Sequence, residues 1–531
     1  MTQTEPTRTS PPRQRGIRSL IRGSQPHPGR TRRRVAPYGV VSAVVLAILL
    51  PVCFKVPWGN DLGQHAATIE RLRVNLLHPG GVLIDLPISS PYYSPYTVAA
   101  ALAARAADVR ATGILPLCAL VNTALLLTGV RAFVRTLSTS PWAPALALPA
   151  LLLLWGPGLY LWSGNLSLLN LAMDISFPSI FTAGLTFHVW ALTARALGRS
   201  ATTRPPLGLW GHAGLGLLLA LTVLSHPITA VGAVLGIVAL AAGRLRALDR
   251  HMLGRLAVCG TTALTAVLLW PYYNVLRLAG TGGLLDSFHF TVYQHMAGWY
   301  GLALLGLPSL LLRARRDRLD PLWLLFLLSA AGVAYGWFSG HYTCGRLLST
   351  ALVPLQIALA VDLVTVRARA RCAVLAVLTA AGLLVGAWAQ AGVLLFVVPE
   401  RALPTALTSR VEQRDAWPGY EWAVRHMRPG DVVMVMAHHP VRMLPGYGVY
   451  TVAPVFPDPA VPAAERKRRW TATRAFFATG TTAARRDAIL RHYDVDWILV
   501  DRASERTPFG PGYERVAARG SELLLWKAGS R

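Results

Sequence analysis

The chain has 531 residues, of which 15% are charged, and its mean hydropathy is +0.42. Because an ordinary soluble domain carries about 25% charged residues, this composition excludes the series of soluble domains that the length alone would suggest. The net charge of +27 would suit a nucleic-acid binder, but the arginines lie in short clusters between apolar runs and form no basic face interleaved with aromatic residues. We therefore predict a polytopic α-helical membrane protein that lies in a lipid bilayer and has no nucleic-acid partner.

The N-terminus combines a basic tail with the first apolar run. Residues 1–34 contain nine arginines and one acidic residue, Glu5, so residues 1–36 are predicted to form a disordered basic cytoplasmic tail. The apolar run 38–56 follows at once. It is long and no small-x-small cleavage site follows it, which favours a retained first transmembrane helix over a signal peptide.

Further apolar runs are long enough to span roughly 30 Å of hydrocarbon, and with the first they predict about eleven transmembrane helices. These runs are 113–133, 142–162, 175–196, 208–226, 227–243, 256–278, 297–313, 321–339, 347–366 and 372–398. Arginine clusters fall in every second loop, on the side of the tail, so an odd number of crossings places everything after Pro399 outside the cytoplasm. The transmembrane domain is predicted over 37–398, and the short run 95–107 is predicted to be an interfacial helix on the outer surface.

Two regions are predicted not to span the membrane. One is a large outer loop, 57–111, between the first two helices. The other is the C-terminal portion, 399–531, where strand patterns at 431–437, 495–501 and 522–528 and a helix pattern at 483–493 predict a small extracytoplasmic α/β domain. The five cysteines are scattered and form no CxxC pair, so neither a disulfide framework nor a zinc site is predicted.

Ionisable residues at the edge of a membrane are unfavourable in free energy. Those of the outer loop are therefore candidates for function. Asp61 opens the loop, and His65 follows four residues later, one turn along a helix. Glu70 and Asp85 are further acidic candidates in the same loop. From spacing alone, Asp61 and Gln64 fit a helix capping box equally well, and in that case the aspartate has no further role.

The outer ends of later helices carry His226, His341 and Arg346. An arginine at the start of a helix suits a phosphate or diphosphate group. The alternative for Arg346 is an interfacial arginine that extends to lipid headgroups. The alternative for His226 is a simple polar turn between two helices, formed with Ser225 and Pro227.

Three groups of residues share their order and position with a known superfamily. The first is the outer loop that follows the tail and one helix and opens with an acidic residue (GNDLGQHAATIERL, 59–72). The second comprises the outer helix ends SHP (225–227) and GHYTCGRLL (340–348), and the third is RRDAILRHYDVDWILVD (485–501) in the C-terminal portion. In these features the chain resembles bacterial members of the GT-C superfamily of polyprenyl-phosphate-sugar-dependent glycosyltransferases, which implies a GT-C-like transmembrane fold.

The resemblance also implies an activity. It indicates a hexosyl- or pentosyltransferase of the cytoplasmic membrane that moves a sugar from a polyprenyl-phosphate donor to an envelope glycan, lipid or protein acceptor. In that superfamily the acidic residue early in the first outer loop is the candidate catalytic base, and this position matches Asp61. His65, Glu70 and Asp85 complete the expected catalytic group.

The donor phosphate is expected to contact a second group of residues, Arg346 with His341 and His226. A divalent metal on the acceptor side occurs in some members of the superfamily only. Since this sequence has no second clear ligand motif, the resemblance leaves metal dependence open, with Asp85 and Glu70 as the candidate helper carboxylates.

Two other classes of function fit the composition. A transporter or flippase for lipid-linked sugars would carry polar residues at the membrane midplane within broken helices, whereas the ionisable residues here lie at the predicted outer edge. A non-catalytic membrane scaffold would bind a wall polymer or a partner protein through the outer domain 399–531.

Overall fold

The computed structural model describes residues 2, 36–59, 61–201, 207–244, 249–280, 283–366, 368–408, 419–501 and 513–527. The predicted basic tail, 1–36, lies outside the described residues except at Thr2 and Ala36. The first seven helices are α1 (Pro37–Lys55), α2 (Leu62–Val74), α3 (Pro95–Ala106), α4 (Ala111–Leu137), α5 (Trp142–Leu153), α6 (Leu168–Met173) and α7 (Pro178–Ala196). The predicted helix at 95–107 corresponds to α3, which begins with a capping box between Ser94 and Thr97.

The described residues of the apolar part contain nine further helices. They are α8 (Leu209–Ser225), α9 (Pro227–Ala242), α10 (Arg250–Leu268), α11 (Gly283–His289), α12 (Met296–Tyr300), α13 (Leu307–Arg316), α14 (Pro321–Ser339), α15 (Leu348–Thr365) and α16 (Arg369–Ala389). A 3₁₀ turn, Tyr342–Leu347, leads directly into α15.

The described residues contain seven helical segments that are long and apolar enough to cross a membrane. They are Pro37–Lys55, Ala111–Leu137, Arg250–Leu268, Met296–Arg316, Pro321–Ser339, Tyr342–Thr365 and Ala370–Ala389. Three other predicted crossings form the shorter apolar helices α5, α8 and α9, and the run 175–196 forms α7. The chain is thus a multi-pass membrane protein, with fewer full-length spans than the eleven that hydropathy alone predicts.

The predicted crossing 142–162 is too long. Helix α5 ends at Leu153, since Gly156, Pro157 and Gly158 follow closely and neither residue type favours a helix interior. The chain then runs without regular helix from 154 to 167. The backbone N–H of Gly158 donates to the carbonyl O of Gly298 at 2.9 Å, which ties this irregular segment to α12.

In the C-terminal portion, the residues that the structure describes form a five-stranded sheet and five helices. The strands are β1 (Val432–Met434), β2 (Tyr450–Thr451), β3 (Trp497–Asp501), β4 (Tyr513–Arg519) and β5 (Glu522–Lys527), in the order β2-β1-β3-β5-β4. Strand β1 runs parallel to β2 and β3, whereas β5 runs antiparallel to β3 and β4. The helices are α17 (Thr405–Thr408), α18 (Glu421–Val424), α19 (Pro440–Met443), α20 (Ala463–Phe477) and α21 (Ala483–His492).

This sheet is buried on both faces, which explains the continuous apolar runs that predicted three of its strands. In β3, Trp497 and Leu499 pack into one core cluster and Ile498 and Val500 into the other, as the two-residue period of a strand requires. Strands β2 and β4 were not predicted. The first has two residues, and the second is mostly exposed and lacks an apolar run.

The C-terminal portion packs directly on α2, the helix that follows Asp61. Arg71 of α2 is buried and donates to the carbonyl oxygens of Gly448 and Val449, at 3.0 and 2.8 Å. Near the start of α2, a Cβ added to Gly63 would lie 1.8 Å from the carbonyl O of Arg442. Polar residues of α2 are therefore buried because a second chain segment covers them, a contact that the helical pattern alone does not reveal.

Candidate active site

A cavity of about 440 Å³ opens where α2, the irregular segment 154–167, the α8–α9 junction and the turn before α15 meet. Four of the seven predicted site residues line this cavity: Asp61, His65, His226 and Arg346. The remaining lining residues are Gln64, Tyr92, Leu161, Trp162, Ser163, Ile228, Leu285, Phe288, His289, His438, Arg442, Val455, Phe456 and Pro457.

Asp61 precedes α2, yet its side chain makes no capping hydrogen bond to that helix. Its Oδ2 instead lies 3.5 Å from Nε2 of His65, and the side chain is 29% exposed whereas that of His65 is 6% exposed. The imidazole of His65 packs edge-on against Phe177, with the ring centroids 4.7 Å apart. The capping-box alternative is therefore wrong for the Asp61 side chain, which contacts His65 and borders the cavity.

The surroundings of Asp61 also set its protonation. Burial raises the pKa of the carboxyl, but the charge and hydrogen bond of His65, together with a backbone hydrogen bond, outweigh burial and hold the pKa below its usual value. A carboxyl group with a lowered pKa is ionised at neutral pH. It can therefore accept a proton from a neighbouring hydroxyl group.

Arg346 reaches the cavity from the 3₁₀ turn before α15. Its Nη2 donates a hydrogen bond to the carbonyl O of Ser163, and its guanidinium carbon lies 5.5 Å from the ring centroid of Trp162. The main chain of Trp162 is fixed by Asn170, whose side-chain amide both donates to and accepts from it at 2.6 Å. Among the ion pairs of the described residues none involves Arg346, so its charge is available to an anionic ligand.

His226 lies between α8 and α9 and has two roles. Its Nδ1 accepts a hydrogen bond from the backbone N–H of Thr229 at 3.2 Å, so the ring caps α9. Burial, and then the charges of Arg346 and His65, lower the pKa of His226 to about 3. The ring is therefore neutral, and with Nδ1 as acceptor its Nε2 carries the proton and can donate to a ligand. The polar-turn interpretation holds, but the same side chain also lines the cavity.

The residues that line the cavity without having been predicted from the sequence include Trp162, His438 and Arg442. Nη1 of Arg442 lies 2.7 Å from Nδ1 of His438, and its guanidinium carbon lies 5.4 Å from the ring centroid of Phe456. The one signal for the C-terminal pair is the short polar segment HHPVR (438–442) directly after β1. Trp162 gave no signal, since its run was interpreted as membrane-spanning.

Glu70, Asp85 and His341 do not line this cavity. Glu70 pairs with Arg73 at 2.6 Å and accepts a hydrogen bond from the backbone N–H of Ala111 at 2.9 Å, so it holds the start of α4. Asp85 is exposed. His341 is 57% exposed, with its Nδ1 3.5 Å from Oδ2 of Asp286. The structure thus separates these three residues from the group around Asp61.

The donor set of the cavity does not fit a hard divalent cation. Such cations bind several oxygen ligands, and Asp61 is the single carboxylate among the described residues that line the cavity. In the described part of the chain, no group of three or more His, Cys, Asp or Glu side chains is placed to share a metal ion.

Comparisons with known proteins bear on the fold. No protein-family model matches this sequence, and no curated protein matches it either. Among solved structures, ArnT from Cupriavidus metallidurans bound to undecaprenyl phosphate is similar over 92% of this chain and 98% of its own, with a TM-score of 0.52 and 13% sequence identity. The chain has a GT-C-like fold. The expectation drawn from the sequence motifs is thereby confirmed for the fold.

Two further solved structures are similar at lower TM-scores. The oligosaccharyltransferase of Archaeoglobus fulgidus in the apo form has a TM-score of 0.45 at 13% identity, covering 88% of this chain and 70% of its own. The arabinosyltransferase EmbB from Mycobacterium smegmatis has a TM-score of 0.36 at 14% identity, covering 94% of this chain and 46% of its own. At such low identity these similarities concern architecture, and the activity of the present chain has to be argued from its cavity.

Proposed function

We propose that the chain is a membrane glycosyltransferase that moves a sugar from a polyprenyl-phosphate donor to an acceptor outside the cytoplasm. The observation that carries this proposal is the convergence of Asp61 and Arg346 on one cavity, from positions far apart along the chain. Transfer from a lipid phosphate requires a proton acceptor and a cation for the departing phosphate, and the cavity offers both. The similar ArnT structure contains undecaprenyl phosphate, a lipid of this class.

The proposed reaction assigns a role to three side chains of the cavity. Asp61 takes the proton of the acceptor hydroxyl group while the hydroxyl oxygen attacks the anomeric carbon of the donor sugar. The bond between that carbon and the phosphate oxygen breaks, and its electron pair leaves with the lipid phosphate. The phosphate gains one negative charge, which Arg346 stabilises and to which the Nε2–H of His226 can donate. Attack opposite the leaving phosphate inverts the configuration of the sugar.

We propose that the cavity faces outward from the cytoplasmic membrane. Asp61 lies one crossing, α1, after the Arg-rich tail, and the positive-inside rule keeps that tail in the cytoplasm. Arg442 of the C-terminal domain 399–531 lines the same cavity as Asp61, which supports placing both on one side of the membrane. In this arrangement the prenyl chain of the donor stays in lipid while its sugar enters the cavity.

Analysis of envelope glycans and membrane lipids tests the proposal. We expect a strain that lacks the gene to lose one sugar from an envelope glycan, lipid or protein and to accumulate the corresponding polyprenyl-phosphate sugar. Both changes should revert when the wild-type chain is expressed. An unchanged envelope and an unchanged lipid pool would contradict the assignment.

Reconstituted vesicles separate a transferase from a transporter. Purified full-length protein should transfer the labelled sugar of the accumulated lipid to an acceptor on the side of the cavity. Movement of the intact lipid-linked sugar across the bilayer without transfer would instead indicate the flippase.

A further inference from the structure

A second cavity, here called the basic cavity, lies between α4 and α7 and has a volume of about 600 Å³. Its polar lining consists of Thr128, Arg131, Arg135 and Thr136 from α4, with His188 and Arg195 from α7. None of these residues takes part in the candidate active site.

The packing of the two helices explains why a cavity forms there. They meet closely at Gly129 and Gly184, where a Cβ added to Gly129 would lie 2.7 Å from the carbonyl O of Gly184. Two contacts show that the helices run side by side in the same direction. Oγ1 of Thr128 lies 3.1 Å from Nε2 of His188, and further along both segments the backbone N–H of Ala201, after α7, donates to the carbonyl O of Thr136 in α4. Beyond the glycine contact, the cavity is lined by the longer side chains of Arg131, Arg135 and Arg195.

The basic cavity is lined by basic and no acidic side chains among the residues that the structure describes. Among the ion pairs of those residues, none involves Arg131 or Arg135. The segment 196–209 that follows α7 contains no acidic residue either. Arg135 donates to the carbonyl O of Thr139, whereas Arg131 is exposed and its side chain makes no hydrogen bond within the described part of the chain. Three guanidinium groups are therefore held together with at least one of them open to a ligand.

The basic cavity lies at the membrane face opposite to the candidate active site. The first residue of α4, Ala111, bonds to Glu70 of α2, the helix that follows Asp61. Arg131 and Arg135 lie twenty or more residues further along α4, which corresponds to about 30 Å of helix, the thickness of a hydrocarbon core.

An apolar stripe leads from this cavity along the surface of α4. The exposed side chains of α4 include Leu117, Val121 and Ala124, followed on the same helical face by Thr128 and Arg131. A ligand that occupies both the basic cavity and the apolar stripe has an anionic head group and a hydrocarbon chain. A free phosphate would use only the arginines, and an acidic protein would leave the apolar stripe unused.

We propose that the basic cavity binds an anionic phospholipid, with its phosphate on Arg131, Arg135 and Arg195 and an acyl chain along Leu117 and Val121. Guanidinium groups and threonine hydroxyls are suitable donors for phosphate oxygens. Basic pockets between transmembrane helices on the cytoplasmic side are known to take such headgroups. This site is independent of the glycosyltransferase proposal, since it shares no residue with the cavity around Asp61.

Native mass spectrometry of the purified full-length protein tests this proposal. Phosphatidylglycerol should remain bound at one copy per chain, whereas phosphatidylcholine should not. The double variant R131Q/R135Q should bind phosphatidylglycerol roughly thirtyfold more weakly, at about 1 kcal/mol per arginine. The matched control is R315Q/R316Q, which removes two exposed arginines from the end of α13 without touching the basic cavity.

Three outcomes would overturn the proposal. Equal losses in the two double variants would show diffuse attraction between arginines and anionic lipid. Stabilisation of the protein by inorganic phosphate to the same extent as by phosphatidylglycerol would show a phosphate site without lipid specificity. Unchanged phosphatidylglycerol binding in the single variant R131Q would also contradict the assignment, and because Arg131 is exposed this variant should fold normally.

Discussion

The candidate active site and the basic cavity lie toward opposite ends of α4. They differ in the charged side chains that line them. The first brings a carboxylate, Asp61, into one cavity with Arg346 and Arg442, whereas the second contains arginines and no carboxylate. The first draws residues from segments distant in sequence, and the second from the facing sides of two helices. Catalysis of sugar transfer needs a group that accepts a proton and a group that donates hydrogen bonds to the departing phosphate. Binding of an anion needs only positively charged groups. On this comparison the first cavity is suited to catalysis and the second to binding.

Removing the cation of the first cavity should have a large effect. Arg346→Gln should lower kcat/KM for sugar transfer by about 10²–10³-fold, since the variant loses a charged donor aimed at the developing phosphate charge. Initial rates in membrane vesicles provide the measurement. Arg277→Gln is the matched control, because Arg277 is exposed and does not line the cavity. Equal rates in the two variants would remove Arg346 from the mechanism.

The contact between α2 and the C-terminal domain can be broken at Gly63. A methyl group there would overlap the carbonyl O of Arg442, so Gly63→Ala should destabilise the protein by about 1–3 kcal/mol and displace Arg442 from the cavity. Thermal unfolding in detergent, together with the transfer rate, measures both effects. Gly260→Ala in α10 is the control, since a Cβ there meets open space and alanine favours a helix. Unchanged stability of Gly63→Ala would show that this contact is loose.

Arg442 offers a smaller change within the same cavity. Arg442→Gln should weaken transfer about tenfold through the loss of one charge-assisted hydrogen bond to a ligand. The effect should appear in KM. Arg346 already faces the proposed donor phosphate, so Arg442, which comes from the C-terminal portion, is expected to bind substrate away from the reacting atoms. Arg428→Gln, an exposed change in the same domain, should leave KM unaltered. A loss confined to kcat would instead place Arg442 at the reacting atoms.

The smallest expected effect concerns pH. Because the charge and hydrogen bond of His65 outweigh burial and lower the pKa of Asp61 below the usual value, transfer in the wild type should persist to a pH below the ordinary carboxyl pKa of about 3.9. His65→Gln removes the main lowering influence, so the pKa should rise and the acid limb of the pH–rate profile should move to higher pH. An acid limb that stays in place would show that another group controls it.

The sequence was sufficient for the features that hydropathy and charge encode. Arginine clusters and apolar runs located most of the helices, and the motif around Asp61 led to the fold. The sequence was insufficient where contacts join segments that are distant along the chain. Arg442 lies beside α2 only because the C-terminal domain folds back on that helix. Trp162 was not identified as a cavity residue, because it lies in an apolar run, interrupted by glycine and proline, that was interpreted as membrane-spanning.

The same limit explains why the acidic candidates could not be ranked. Glu70 and Asp61 both belong to the predicted outer loop and its polar pattern, yet Glu70 pairs with Arg73 and the start of α4. Which carboxylate borders a cavity depends on the register of α2 against its neighbours. A single sequence does not encode that register in any local spacing.

Two aspartate variants distinguish a catalytic role of Asp61 from a general effect of charge in this loop. Asp61→Asn and Asp85→Asn each remove one carboxylate from the same loop, but only Asp61 lines the cavity. In a strain that lacks the gene, Asp85→Asn should restore the missing envelope sugar, whereas Asp61→Asn should insert normally and lower transfer by about 10²–10⁴-fold, the contribution of a general base. Full restoration by Asp61→Asn would contradict the account.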